Sequence, residues 1–107
     1  MSSFICDSCG QEVSLYDGVL SWYRKGRELG NFTITHRPGK HCSGRPENNV
    51  YRDLFRVASV KGYLAFVQYL IARWSEGCVL NDFSSLKKAI AQINSHIDEG
   101  IASLLGE

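Results

Sequence analysis

The chain has 107 residues and a formal net charge of +1, with 44% hydrophobic and 21% charged residues. That is enough for one domain and too apolar for a disordered segment. No stretch supplies the roughly 18 uncharged apolar residues of a membrane span, and the balanced charge excludes a partner chosen by whole-chain electrostatics. The opening Met1-Ser2-Ser3-Phe4-Ile5-Cys6 lacks the basic region and long apolar run of a secretory leader, so the expectation is a cytoplasmic protein without disulfides.

The first chemical signal is Cys6-Asp7-Ser8-Cys9, closed by Gly10. Two thiols spaced this way leave one tight turn at the bite a tetrahedral ion requires. Next come β-formers, Gly18-Val19-Leu20-Ser21-Trp22-Tyr23-Arg24, then the glycine-bounded turn Lys25 to Gly30. Asn31-Phe32-Thr33-Ile34-Thr35-His36 alternates strictly, which places His36 on the side of Phe32 and Ile34. Arg37-Pro38-Gly39-Lys40 predicts a second turn before Cys42. Cys42 is the third candidate ligand, and His36 and His41 compete for the fourth place. His36 is preferred, because adjacent residues such as His41 and Cys42 point apart in an extended chain.

Six of the ten glycines and both prolines precede residue 47, and helical patterns follow. Asn48 or Asn49 can cap a short helix carrying Val50, Leu54 and Val57. Ser59 can cap a second helix that stops at Gly77 and is apolar almost all round from Tyr63 to Trp74, which predicts a central buried helix. Asn81 or Asp82 can cap a third, with the stripe Phe83, Leu86, Ile90, Ile93, Ile97 and Leu104. Its narrow seam suits one neighbour: the second helix, or the same helix of another copy in a homodimer through residues 82–105.

The predicted fold is therefore α+β. An N-terminal zinc ribbon over 1–47, a short antiparallel hairpin with two metal-binding turns, packs on a bundle of about three helices over 48–107, in one cooperative domain. Three thiolates and an imidazole close the coordination sphere, so the zinc is expected to be structural and the protein not an enzyme. Cys78, just past Gly77, reads as a small buried side chain, and no motif orients it toward His96. Residues 4–42, through Phe4-Ile5-Cys6-x-x-Cys9-Gly10, Leu20-x-Trp22 and Phe32-x-Ile34-x-His36-x5-Cys42, resemble a zinc ribbon. With Gly62-Tyr63-Leu64 opening a helix, they are similar to small bacterial proteins of unassigned function. The resemblance implies Cys6, Cys9, His36 and Cys42 as ligands and brings no activity with it.

Two partner classes fit the rest. One is another protein, met through Trp22 and Tyr23, with Tyr16 and Tyr51 as further aromatic anchors. The other is nucleic acid. Residues 21–45 hold six basic side chains (Arg24, Lys25, Arg27, Arg37, Lys40 and Arg45) against one acid, Glu28, interleaved with aromatics that could stack on bases. Binding one Zn²⁺ through three thiolates lowers the net charge by one, leaving a near-neutral chain with little protection against self-association.

Overall fold

In the computed structural model, residues 4–39 and 42–104 are described. The hairpin is its centre. Strands β3 (Gly18–Lys25) and β4 (Glu28–His36) pair antiparallel from Gly18 opposite His36 to Lys25 opposite Glu28. The register shifts between Ser21 and Tyr23, where Asn31 takes a left-handed φ of 56° as the extra residue of a β-bulge. The bulge resets side-chain parity. Leu29 therefore joins Phe32 and Ile34 in the core, which an uninterrupted alternation would forbid.

The sheet is larger than a ribbon and draws on both halves of the chain. Strand β5 (Val50–Asp53) pairs antiparallel with β3, and β6 (Val79–Leu80) pairs parallel with β4, giving the order β5-β3-β4-β6. A separate two-stranded sheet joins β1 (Phe4–Ile5) to β2 (Glu12–Val13). The helix expected from Val50 is thus a strand until Asp53, and only α1 (Leu54–Val57) is helical. The open edge of β3 offers unpaired N–H and C=O groups, and Val50-Tyr51 satisfies them opposite Trp22 and Ser21. Asn48 caps no helix. It is buried, and its amide donates to Ser21 Oγ (2.9 Å), Asn31 O (3.0 Å) and Thr33 Oγ1 (3.3 Å), fastening the loop before β5 to the polar side of the hairpin.

The helices form a layer on the apolar side of the sheet, not a bundle of their own. Helix α2 (Val60–Ser75) begins at Ser59, whose Oγ accepts from Gly62 N–H at 3.1 Å. Its Phe66 packs against both Trp22 and Phe32, themselves stacked on each other, with ring centroids 5.4 and 6.3 Å away. Helix α3 (Phe83–Leu104) lies along β4, where Ser85 Oγ accepts from Phe32 N–H at 2.9 Å. Its inner row is Leu86, Ala89 and Ile93, with Ile90 and Ile97 at the margin. Of the stripe foreseen as a seam, Leu86 and Ile93 meet the sheet and not α2, because Phe32 and Ile34 present a wider apolar face than one helix can, while Phe83 stays exposed and Ile90 and Ile97 are half covered. Nor is α2 central: only Phe66 and Leu70 are buried, and Leu64, Ile71 and Trp74 are about half exposed. No described helix is long and apolar enough to cross a membrane.

Candidate metal centre

Cys6 leaves β1 into a turn in which Gly10 N–H donates to Cys6 O (2.9 Å) and Cys6 N–H to Gln11 O (2.8 Å). Gly10 has φ +80°, a conformation that costs a side chain strain and lets the chain double back after Cys9. The turn aims Cys9 N–H at Cys6 Sγ (3.4 Å), the kind of bond that favours a thiolate. A second turn follows Cys42. Gly44, at φ +63°, points its N–H at Cys42 Sγ (3.4 Å), and a Cβ there would press on Pro38 at 3.1 Å. His36, the last residue of β4, lies between the two turns and Glu12 of β2.

The side chains of Cys6, Cys9, His36 and Cys42 converge, with all four donor atoms within 4.8 Å of one another. Cys6 Sγ is 3.7 Å from Cys42 Sγ, and Cys9 Sγ is 3.5 Å from His36 Nδ1. A tetrahedron with metal–sulfur bonds of about 2.3 Å and metal–nitrogen bonds of about 2.0 Å has edges of about 3.8 Å (S–S) and about 3.5 Å (S–N). The spacing therefore fits one ion, and the 3.7 Å separation is far beyond the roughly 2.05 Å of a disulfide. All four cysteines are free thiols. His36 Nε2–H donates to Glu12 O at 2.9 Å, which turns Nδ1 toward the centre as the nitrogen that would meet an ion. Cys6 and Cys42 are buried, while Cys9 is exposed and His36 partly so; the site opens into a cleft also lined by Gln11, Asp17, Arg37 and Pro38.

The electrostatics follow from this crowding. Burial alone raises the Cys6 thiol, but N–H groups of Cys9, His36 and Ser8 and the His36 ring outweigh it and bring the pKa down to about 6. Gln11 N–H lowers Cys9, yet desolvation and the neighbouring Cys6 and Cys42 sulfurs together push it upward. Cys6 chiefly raises His36 against its burial, helped by Cys42 and Glu12 O. Without metal, these contacts favour a Cys6 thiolate beside a protonated His36 ring; a bound cation would take the place of the Nδ1 proton and of any proton left on the sulfurs.

Asp7 holds the first turn in place, and only the folded chain reveals it. Asp7 N–H donates to Ile34 O (2.8 Å), and its carboxylate accepts from Ile34 N–H (2.9 Å) and Lys88 Nζ (3.1 Å). Arg45 Nη2 donates to Asp7 O at 2.8 Å. The edge of β4, helix α3 and the 42–49 loop thus all meet at this one residue. A spacer within a Cys-x-x-Cys gives no sequence signal of that role.

The other candidates disperse. Trp22 is fully buried and is no surface anchor, because it fills the space among Phe32, Phe66 and Tyr69. Tyr23 is half-buried under Gly30, and its hydroxyl accepts from Asn81 at 3.2 Å; Tyr16 and Tyr51 are exposed. Arg24, Lys25 and Arg27 stand at the hairpin turn, with Arg24 near Glu76. Arg37, at the opposite end, pairs with Asp53 at 2.7 Å, and Arg45 is taken up by Asp7. Among the described residues the basic run is therefore split along the hairpin and partly neutralised, and these form no single cationic patch. Lys40 and His41 lie outside the described residues. Cys78 is buried next to the hairpin-turn end, where its N–H donates to Arg73 O, whereas His96 packs its ring on Phe4. Comparison with protein families, curated proteins and solved structures gives no match for this chain, so any function must be argued from the geometry of the four donors.

Proposed function

We propose that Cys6, Cys9, His36 and Cys42 bind one zinc ion as a structural centre, and that the protein is a non-catalytic, zinc-stabilised interaction module. The convergence of four donor atoms within 4.8 Å, with the Cys6–Cys42 and Cys9–His36 pairs at tetrahedral edge lengths, carries this reading. Zinc suits a mixed thiolate–imidazole set and has no geometric preference to resist it. Four protein donors fill a tetrahedral sphere, which leaves no position for an activated water. Binding would contribute folding free energy on the order of 10 kcal/mol, as in other small sites of this kind. Elemental analysis of purified protein should find one zinc per chain, falling to well under half in Cys6→Ser and Cys42→Ser. Cobalt substitution should give the visible d–d bands of a tetrahedral thiolate site. Absence of stoichiometric zinc, or full retention of it in both variants, overturns the reading.

A further inference from the structure

Helices α2 and α3 each carry an apolar row that the fold leaves open. On α2 it is Val60, Leu64, Val67, Ile71 and Trp74, spaced 4-3-4-3 along one side of the helix. On α3 it is Phe83, Ile90, Ile97 and Ile101. Of the ten exposed large hydrophobic residues among those described, six belong to these rows: Val60, Leu64, Ile71, Trp74, Phe83 and Ile101. Such clustering marks an interaction surface, where single scattered residues would not. The helices run antiparallel, since α3 starts soon after α2 ends and a hollow lined by Ala58, Val60, Ile97, Gly100 and Ile101 joins the start of α2 to the end of α3.

We propose that this helical face is the dimer interface of the protein, closed by a second copy related by a two-fold axis that sets each helix antiparallel to its counterpart. The surface is complementary to itself in shape. Trp74 and Phe83 stand exposed at one end of the helical layer, and the hollow beside Val60 and Gly100 lies at the other. Reversing one copy over the other places aromatic rings over the hollow at both ends. The surface is also complementary to itself in charge. Lys87 and Asp98 sit on the same side of α3, eleven residues and so about 16 Å apart, too far to pair within one helix. Both are exposed, and neither has an ion-pair partner among the described residues. In the reversed arrangement Lys87 meets Asp98 of the second copy, and the symmetry makes the contact twice. A partner of different sequence has no reason to match both patterns at once.

Sedimentation equilibrium and light scattering on the full zinc-loaded chain test this directly. The expected result is a concentration-dependent dimer. Lys87→Asp and Asp98→Lys should each weaken association about tenfold or more, and the double reversal should restore it. Ile71→Glu should give a monomer with unchanged helical circular dichroism. A monomer at every concentration overturns the proposal and leaves the helical face to another protein. A double reversal no tighter than the singles overturns it too. Zinc content, measured on the same samples, reports separately on the metal reading.

Discussion

Single side chains set the acid response of the metal centre. Cys6 is lowered to about 6 and His36 is raised, so between those values the metal-free cluster holds a thiolate–imidazolium pair. The lowered Cys6 contributes stability that is present at high pH and lost as pH falls through about 6. The raised His36 contributes stability present below its ordinary 6.5 and lost as pH rises through its raised value. The metal-free protein should therefore be most stable between the two, which a series of thermal melts in chelator across pH would show. With the proposed zinc bound, the response should differ. Protons compete with the ion for every donor, so affinity rises with pH, and because the ion itself holds the thiolates deprotonated, release on acidification should begin well below the metal-free value of Cys6. A colorimetric chelator follows that release; a zinc affinity that does not change with pH would rule out the thiolate donors.

At the scale of elements, β4 does most to position the site. Its edge receives Asp7, its end supplies His36, its bulge turns Leu29 inward, and its polar face holds Asn48. Asn48→Ala would leave the Asn31 carbonyl without its amide donor and the buried Ser21–Thr33 hydroxyl pair with only each other. The expected cost is about 1–3 kcal/mol, since unsatisfied buried polar groups retain their desolvation penalty. Because the same loop carries Cys42, zinc retention under a weak chelator should fall along with the melting temperature. Equal zinc retention in the variant and the parent would show that the loop is held by the ion alone. Strict alternation made Phe32, Ile34 and His36 legible as one face. It could not reveal Leu29 or β5, because a bulge and an edge pairing depend on what lies beside the strand, not on its own residues.

At the scale of the molecule, the sheet interleaves the two halves of the chain. β5 and β6, from the second half, flank the hairpin of the first, and Trp22 and Phe32 share their core with Phe66. A centre fixed to β4 should then be felt everywhere. Zinc removal should lower one melting transition seen alike by tryptophan fluorescence and by helical circular dichroism, without splitting it into a ribbon step and a helix step. Non-coincident transitions would show that the N-terminal part unfolds alone. The exposed row of α2 belongs to this scale too. Residues Tyr63 to Trp74 read as a fully buried helix, yet the hairpin has room to cover only Phe66 and Leu70.

The chain itself determined the kinds of donor, their pairing in two turns, and the periods that make the hairpin strands and the two long helices, since each depends on neighbours a few residues apart. Tertiary structure alone decided how the donors converge, where Asp7 and Asn48 spend their hydrogen bonds, and which apolar rows are covered. Those outcomes arise where segments distant in sequence compete for one sheet edge or one face, and no local pattern records who wins.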